Sequence, residues 1–372
     1  MELTSKKVLL LAAIAAVLIF AATVWLWPRL ARNNAPAVLG RVGTLLATQL
    51  VMICALLLAV NDSFGFYASW ADLFGTVQGQ GVVVMQGNPS GGKQLQVLGR
   101  ESVNVSGGSV PTIGGRIEKI QITGRHSHIT SSAYMYLPPE YFKRQYSKRA
   151  FPTAVVLTGY PGTSEHLITG LKYPVVAHRL ASSGAAQPTI LVMLRPTVAP
   201  PRDTECMDIP GGPQTETFFT KDLPAAIATH YRVGHHARNW GIIGDSTGGY
   251  CALKLAMRNP QTFGAAASLS GYYKAPIDPT TGSLFGGSAQ LARENNLMWR
   301  LAHLPHPPVS LLVTSSKHGE RNYNSTLAFI KAATPPTQTA SILLSTGGHN
   351  FNTWAREVPP ALQWLCSRLS DR

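Results

Sequence analysis

Hydrophobic and polar positions follow three different patterns along this chain. Residues 8–27 pass without a charge after Lys6 and Lys7 and end at Pro28, and residues 42–60 pass with no charge and one amide, Gln49. As a helix, each run is about the length of 20 residues that a hydrocarbon core of roughly 30 Å requires. They are read as two transmembrane helices, over 8–27 and 42–60. A cleaved signal peptide, with its site in the Ala-rich stretch around Phe20-Ala21-Ala22, is the alternative for the first run, and the second run counts against it. From 61 to 115 the pattern is interrupted by Gln80-Gly81, Asn88-Pro89-Ser90-Gly91-Gly92 and Ser106-Gly107-Gly108-Ser109, so this Gly/Ser-rich segment is expected to be a connector with room for a hairpin.

From 116 to 372 the pattern becomes regular. Alternation over 117–123 and 132–137 predicts two strands, the second stopped by Pro138-Pro139. Short apolar runs at 153–157, 190–194, 240–244, 265–269, 309–314 and 341–344 read as strands buried on both faces. Helical periods at 217–231, 250–259 and 358–369 separate and close the series. Strands alternating with helices predict an α/β domain built on a mostly parallel sheet covered on both faces. In such sheets active sites lie at the carboxyl ends of strands.

One pentapeptide sits where that rule looks for chemistry. Gly244-Asp245-Ser246-Thr247-Gly248 follows the apolar run Gly241-Ile242-Ile243 and precedes Gly249-Tyr250-Cys251-Ala252-Leu253. A strand, a tight turn and a helix would force Ser246 into a strained turn with its hydroxyl above the sheet, provided that positions 244 and 248 carry no side chain. A serine hydroxyl is a weak nucleophile and needs a base that is itself oriented by an acid, and in this arrangement the chain order is Ser, acid, His. Between Glu294 and Glu357 the single carboxylate is Glu320, and beyond it the single histidine is His349, in Gly347-Gly348-His349-Asn350. Ser246, Glu320 and His349 are therefore the expected catalytic set. Glu320 could instead be a surface carboxylate paired with Lys317 or Arg321, with Asp278 as the reserve acid. The oxyanion donors are expected from the backbone N–H of Thr247 and of Tyr160, in the loop Thr158-Gly159-Tyr160-Pro161-Gly162.

The remaining composition narrows partners more than chemistry. The net charge is +14, and the first 60 residues hold five basic side chains and one acidic, so the rest carries +10. No basic run is interleaved with aromatics, which argues against nucleic acid; a solvated basic surface, or attraction to anionic lipid, fits better. His235-His236, His303, His306 and His318 show no metal-ligand spacing, so neither a metal nor another cofactor is expected. Of four cysteines, Cys54 lies in the second apolar run, and Cys206, Cys251 and Cys366 have no CxxC spacing. Cys206 and Cys251 both should flank the site and would be the pair to join in an oxidising compartment. Arg29, Arg32 and Arg41 lie between the two apolar runs, whereas no Lys or Arg occurs from 61 to 92. That places the large domain outside the cytoplasm, although Lys6 and Lys7 pull the other way.

With these residues in hand, residues 116–370 resemble the Putative esterase family, which includes esterase D and the antigen 85 mycolyltransferases. The resemblance rests on the Ser246 turn, Tyr134-Met135-Tyr136-Leu137-Pro138-Pro139, Leu157-Thr158-Gly159-Tyr160-Pro161-Gly162, Glu216-Thr217-Phe218-Phe219, Asn259-Pro260-Gln261-Thr262-Phe263, Ser268-Leu269-Ser270-Gly271 and Gly348-His349-Asn350-Phe351-Asn352-Thr353-Trp354. It implies an α/β-hydrolase fold, an acyl-enzyme at Ser246, and ester or lipid-linked substrates. The chain departs from the family at Asp245, where a hydrophobic residue or Tyr is common, and at Thr247, where Met is. The two N-terminal helices lie outside the family core and resemble membrane-anchored actinobacterial relatives. Three functions follow: transfer of a lipid or envelope acyl group to a hydroxyl, hydrolysis of carboxylic esters, or a non-catalytic envelope-binding protein on the same fold. The acyl chain, the acceptor and the oligomeric state are not specified by these residues.

Overall fold

The structure is a computed structural model that describes residues 6–32, 34–64 and 94–370, in two compact units that divide near residue 81. Much of the expected connector, residues 65–93, lies outside the described residues.

The first unit holds two helices, α1 (Lys6–Leu26) and α2 (Ala35–Phe64), each long and apolar enough to cross a membrane. Large apolar side chains such as Leu18, Leu39 and Leu56 are exposed on both, as on helices that are hydrophobic all round. Where the two pack, Thr23 Oγ1 and Thr48 Oγ1 share a buried hydrogen bond of 2.9 Å. The second helix starts well before residue 42 because Asn34 Oδ1 accepts the Ala37 N–H at 3.0 Å. Such a cap begins a helix regardless of the charge at Arg41.

The second unit is built on one nine-stranded sheet in the order β1-β2-β3-β5-β4-β6-β7-β8-β9. The strands are β1 (Leu95–Ser102), β2 (Arg116–Thr123), β3 (Thr130–Leu137), β4 (Thr153–Leu157), β5 (Ile190–Leu194), β6 (Trp240–Asp245), β7 (Ala265–Leu269), β8 (Ser310–His318) and β9 (Gln338–Thr346). Strands β1, β2, β3 and β5 pair antiparallel in turn, and β5-β4-β6-β7-β8-β9 are parallel. All five residues of β4, β5 and β7 are buried. Alternate side chains feed two cores: Val155, Leu157, Val192 and Ile242 on one face, Ala154, Val156, Leu191 and Ile243 on the other. Helix α3 (Thr247–Arg258) belongs to the first core, and α4 (Phe351–Arg368) to the second through Leu362 and Leu365. This is the α/β-hydrolase fold.

The differences from the expected elements have local causes. Strand β1 comes from the segment read as connector; one residue of its eight is buried, so it shows no core pattern, and a bulge between Val97 and Gly99 breaks its alternation. Strands β8 and β9 run past their apolar stretches because Ser315, Ser316 and His318 pair with Leu343, Leu344 and Thr346. The helical stretch near 217–231 is interrupted by a π-turn over Phe218–Asp222, just before Pro224, which has no N–H to donate. Helix α4 starts at Phe351, not at residue 358, because Asn350 Oδ1 caps it through the Thr353 N–H at 3.1 Å.

Strand order reverses beside β4: β5 lies on one side of it and β6 on the other. The crevice above such a switch point is where open parallel sheets bind ligands. Leu157 pairs with Gly244 in the last register position of β4 and β6, so the loop after β4 and the turn after β6 emerge side by side there.

Candidate active site

Ser246 occupies the turn between β6 and α3 with φ 51° and ψ −118°. A residue with a side chain rarely adopts a positive φ, and it does so here because both flanks are fixed. Its N–H donates to Leu269 O at 2.9 Å, and its carbonyl accepts the Tyr250 N–H at 3.1 Å, the first bond of α3. The flanking glycines are obligatory. A Cβ on Gly244 would stand 2.5 Å from the Gly248 carbonyl carbon, and one on Gly248 would stand 2.5 Å from Thr158 O.

His349 Nε2 lies 2.8 Å from Ser246 Oγ. His349 follows β9 at the far edge of the sheet, and its turn leans back because Gly347 N–H donates to His318 O at 3.0 Å and α4 starts immediately afterwards. The imidazole packs edge-on against Trp354, with ring centroids 5.1 Å apart. On its other side, Glu320 Oε1 stands 3.7 Å from His349 Nδ1. That is longer than a hydrogen bond. The Glu320 side chain is fully buried, and its Oε2 accepts the Ser316 N–H at 2.7 Å. Burial alone would raise its pKa, but His349, Ser270 and the Ser316 N–H outweigh burial and hold it below the ordinary carboxylate range. Glu320 therefore faces His349 as an anion and is no surface partner of Lys317 or Arg321. Asp278 is occupied by its own turn, accepting from the Thr280 N–H and hydroxyl.

Thr247 is the first residue of α3, where the helix leaves backbone N–H groups without intrahelical partners. Tyr160 lies in the loop after β4, whose close approach to Ser246 shows at Gly159: a Cβ there would stand 3.0 Å from Ser246 Cβ. Gly162 N–H closes the loop onto Gly159 O at 2.8 Å.

Cys206 and Cys251, the pair expected from the sequence, form a disulfide that joins the loop after β5 to α3. Several other groups around the site were not singled out by the sequence pattern. One turn further along α3, the fully buried Lys254 donates to Glu205 O and Cys206 O, both at 2.7 Å. Both of those residues have positive φ, 49° and 52°. Burial pushes the Lys254 ammonium down to about 8. The Tyr272 hydroxyl donates to Glu205 Oε1 at 2.6 Å and meets Thr247 Oγ1 at 3.0 Å. Under α4, the buried Glu357 accepts from the Thr314 hydroxyl at 2.7 Å and is pushed up to about 8 by burial and by the neighbouring Glu320. A lone charge inside an apolar stretch, as in Leu253-Lys254-Leu255-Ala256, is the signal that could have found Lys254.

Residues 130–368 match the model of the Esterase family, described as Putative esterase. The chain belongs to this family. An uncharacterized protein of Corynebacterium glutamicum is 23% identical over 279 residues, 68% of this chain and 62% of that protein. The MPT51 antigen of Mycobacterium leprae is 37% identical over 93 residues, 24% of this chain and 29% of that protein. The match thus spans less than two thirds of the length of either relative. Among solved structures, a ferulic acid esterase superposes with TM-score 0.57 at 18% identity, covering 68% of this chain and 98% of that one. An S-formylglutathione hydrolase from Agrobacterium tumefaciens gives 0.57 at 16% identity, covering 74% and 99%. These two likenesses carry the fold. The esterase-family match begins at β3 and leaves α1, α2, β1 and β2 outside it.

Proposed function

We propose that the protein is a serine esterase that works through an acyl-enzyme on carboxylic esters, tethered to a membrane by α1 and α2, with lipid or cell-envelope acyl groups as its substrates. The observation that carries this reading is the 2.8 Å contact between Ser246 Oγ and His349 Nε2, with the buried Glu320 carboxylate behind the imidazole. Nδ1–H of His349 facing Glu320 leaves Nε2 free to accept the Ser246 proton, and this tautomer follows from the anion at Glu320. Ser246 Oγ attacks the ester carbonyl as its proton passes to Nε2, and the imidazolium that forms is stabilised by Glu320. The oxyanion is received by the N–H groups of Thr247 and Tyr160. Collapse breaks the bond to the leaving oxygen, which takes the proton from Nε2. A water or an acceptor hydroxyl then attacks the acyl-enzyme by the reverse path, giving an acid or a transferred ester.

The Cys206–Cys251 disulfide supports a domain on the oxidising, extracytoplasmic side, in line with the arginines between the two helices. The second reading, transfer to an envelope hydroxyl, is favoured by the tether, which would hold the site near lipid-linked esters.

The test is labelling of the detergent-solubilised full chain with a fluorophosphonate. Wild type should label and Ser246→Ala should not; equal labelling, or none of the wild type, defeats the catalytic reading and leaves a binding protein. Incubation with a short acyl ester, with and without trehalose or glycerol, then separates the two outcomes. A new acyl-sugar or acyl-glycerol product indicates transfer, and free acid alone indicates hydrolysis.

A further inference from the structure

The residue just before the nucleophile departs from the family pattern, and the structure shows what it touches. Asp245 ends β6 and is fully buried. Its Oδ2 accepts the Gly159 N–H at 2.8 Å, while its Oδ1 has no hydrogen-bond partner among the described residues. A buried carboxyl group with one of its oxygens left without a hydrogen-bond partner is an unfavourable arrangement unless something else requires it. The sheet does not. Strands β4 and β6 are already in register through Thr153↔Trp240 to Leu157↔Gly244, and the Asp245 contact reaches beyond that last pair into the loop.

The loop is also held through the Gly159 carbonyl, which accepts the Gly162 N–H at 2.8 Å. Gly159 is followed directly by Tyr160, whose N–H is the donor assigned above, so the Gly159 N–H and the Tyr160 N–H lie on successive peptides. The two planes meet at the Gly159 Cα, so the bond to Asp245 fixes the pivot from which the second peptide turns. Residue 159 must also be small for the bond to form, because a Cβ there would stand 3.1 Å from Asp245 Oδ2 and 3.0 Å from Ser246 Cβ. Thr158 on the other side is anchored through its N–H to Leu194 O at 3.3 Å, and its hydroxyl donates to Gly159 O at 2.8 Å.

We infer that Asp245 is a positioning residue: by accepting the Gly159 N–H it holds the loop after β4 so that the Tyr160 N–H points at the oxyanion formed on Ser246. This rests on the reading of Ser246 as the nucleophile. Asp245 touches no reacting atom, and its action passes through the Gly159–Tyr160 backbone. One residue thus links the nucleophile's own turn to the opposite half of the oxyanion site.

The test compares Asp245→Asn, whose amide oxygen can accept the same N–H, with Asp245→Ala, which cannot, in the full chain in detergent with a short acyl ester. Asp245→Ala should lower kcat about 100-fold, the scale of losing one oxyanion donor, with KM within about twofold; Asp245→Asn should recover kcat to within about tenfold of wild type. Both should still be labelled to completion by a fluorophosphonate on long incubation, because Ser246, His349 and Glu320 are intact. If Asp245→Ala fails to melt cooperatively, Asp245→Ser takes its place, since a hydroxyl at Cβ is too short to reach Gly159. Retention of kcat within threefold by the variant lacking the acceptor overturns the proposal. So does equal loss in the Asn variant, which would make charge the determinant. Absence of labelling in wild type would instead defeat the nucleophile assignment on which the proposal rests.

Discussion

Lys254 reaches back from α3, the helix that follows Ser246, to hold the backbone of Glu205, donating to its carbonyl at 2.7 Å. The same helix carries Cys251, bonded to Cys206 one residue further along that loop. Two strained residues, a disulfide and a buried ammonium therefore clamp one loop to the element that opens at Thr247. Replacing Lys254 by Met keeps the volume and leaves two buried carbonyls without a donor. The expected loss is about 2 kcal/mol, read as a lower melting temperature of the detergent-solubilised chain.

Reducing the disulfide acts on the same loop by another route. Its two cysteines are separated by 45 positions, and a cross-link over that length restricts the unfolded chain by about 4 kcal/mol in the chain-entropy picture. Dithiothreitol should therefore lower the melting temperature. The Lys254→Met and reduced states should combine non-additively, because both release Glu205 and Cys206. Additive losses would mean that the two clamps act independently.

The buried carboxylates set the pH dependence of stability. Glu205 is pushed up to about 8 by burial and by Asp203, and Glu357 to about 8 by burial. An unfolded glutamate titrates near about 4.3. Between those values the folded protein keeps protons that the unfolded chain releases, so stability is full below the lower value and falls as pH rises through the upper one. Asp245, pushed to about 7, and Asp203, to about 6, act in the same direction. Glu216, Asp222 and Glu320 are lowered and supply stability that disappears in acid. Lys254 works the opposite way only above about 8. Melting temperature should therefore peak near about pH 5 and fall toward pH 8. Glu205→Gln and Glu357→Gln should each raise the pH 8 value and flatten the slope; an unchanged slope in both would show that these groups are ionised throughout.

How much of this was legible beforehand depended on whether a residue's neighbours were local. Gly244 and Gly248 announce the Ser246 turn because their constraint is the turn itself. Glu320 and His349 emerged by exclusion, since few carboxylates and histidines follow the strands that deliver them. The 29 positions that separate them in sequence are bridged by β9, whose largely exposed pattern gave only a four-residue apolar core to read. By contrast, Asp245 meets Gly159 across 86 positions and Lys254 meets Glu205 across 49. Those partnerships are made by β4, β5 and β6 lying side by side, which no spacing rule reports. Strand β1 was missed for a simpler reason: it is an edge strand with one buried residue.

Catalytic loss should follow the proposed division of roles. Ser246→Ala and His349→Ala should each reduce kcat by roughly 10⁴-fold or more, and the double variant should lose little beyond either single one, because the two act as a unit. Glu320→Gln keeps the shape but removes the anion behind His349, and a loss of about 100- to 10,000-fold in kcat is expected with KM little changed. Steady-state kinetics on a short acyl ester would check all four. Full activity in Glu320→Gln would return the acid to another loop.

Sidedness is the remaining consequence of the sequence. Arg29, Arg32 and Arg41 lie between α1 and α2, and no Lys or Arg appears from 61 to 92, so the loop between the helices should stay in the cytoplasm and both ends should cross. Lys6 and Lys7 would then be translocated, an opposing bias of two charges against three. Alkaline phosphatase, which needs disulfides to fold, fused after residue 372 should be active, and a reporter inserted in the loop between the helices should not be. Changing Arg29, Arg32 and Arg41 to Gln leaves Lys6 and Lys7 as the dominant charges and should invert a fraction of the molecules. In those molecules the Cys206 and Cys251 thiols would face a reducing compartment and alkylate without added reductant. An active phosphatase in the loop fusion of the unaltered chain would place the large domain in the cytoplasm.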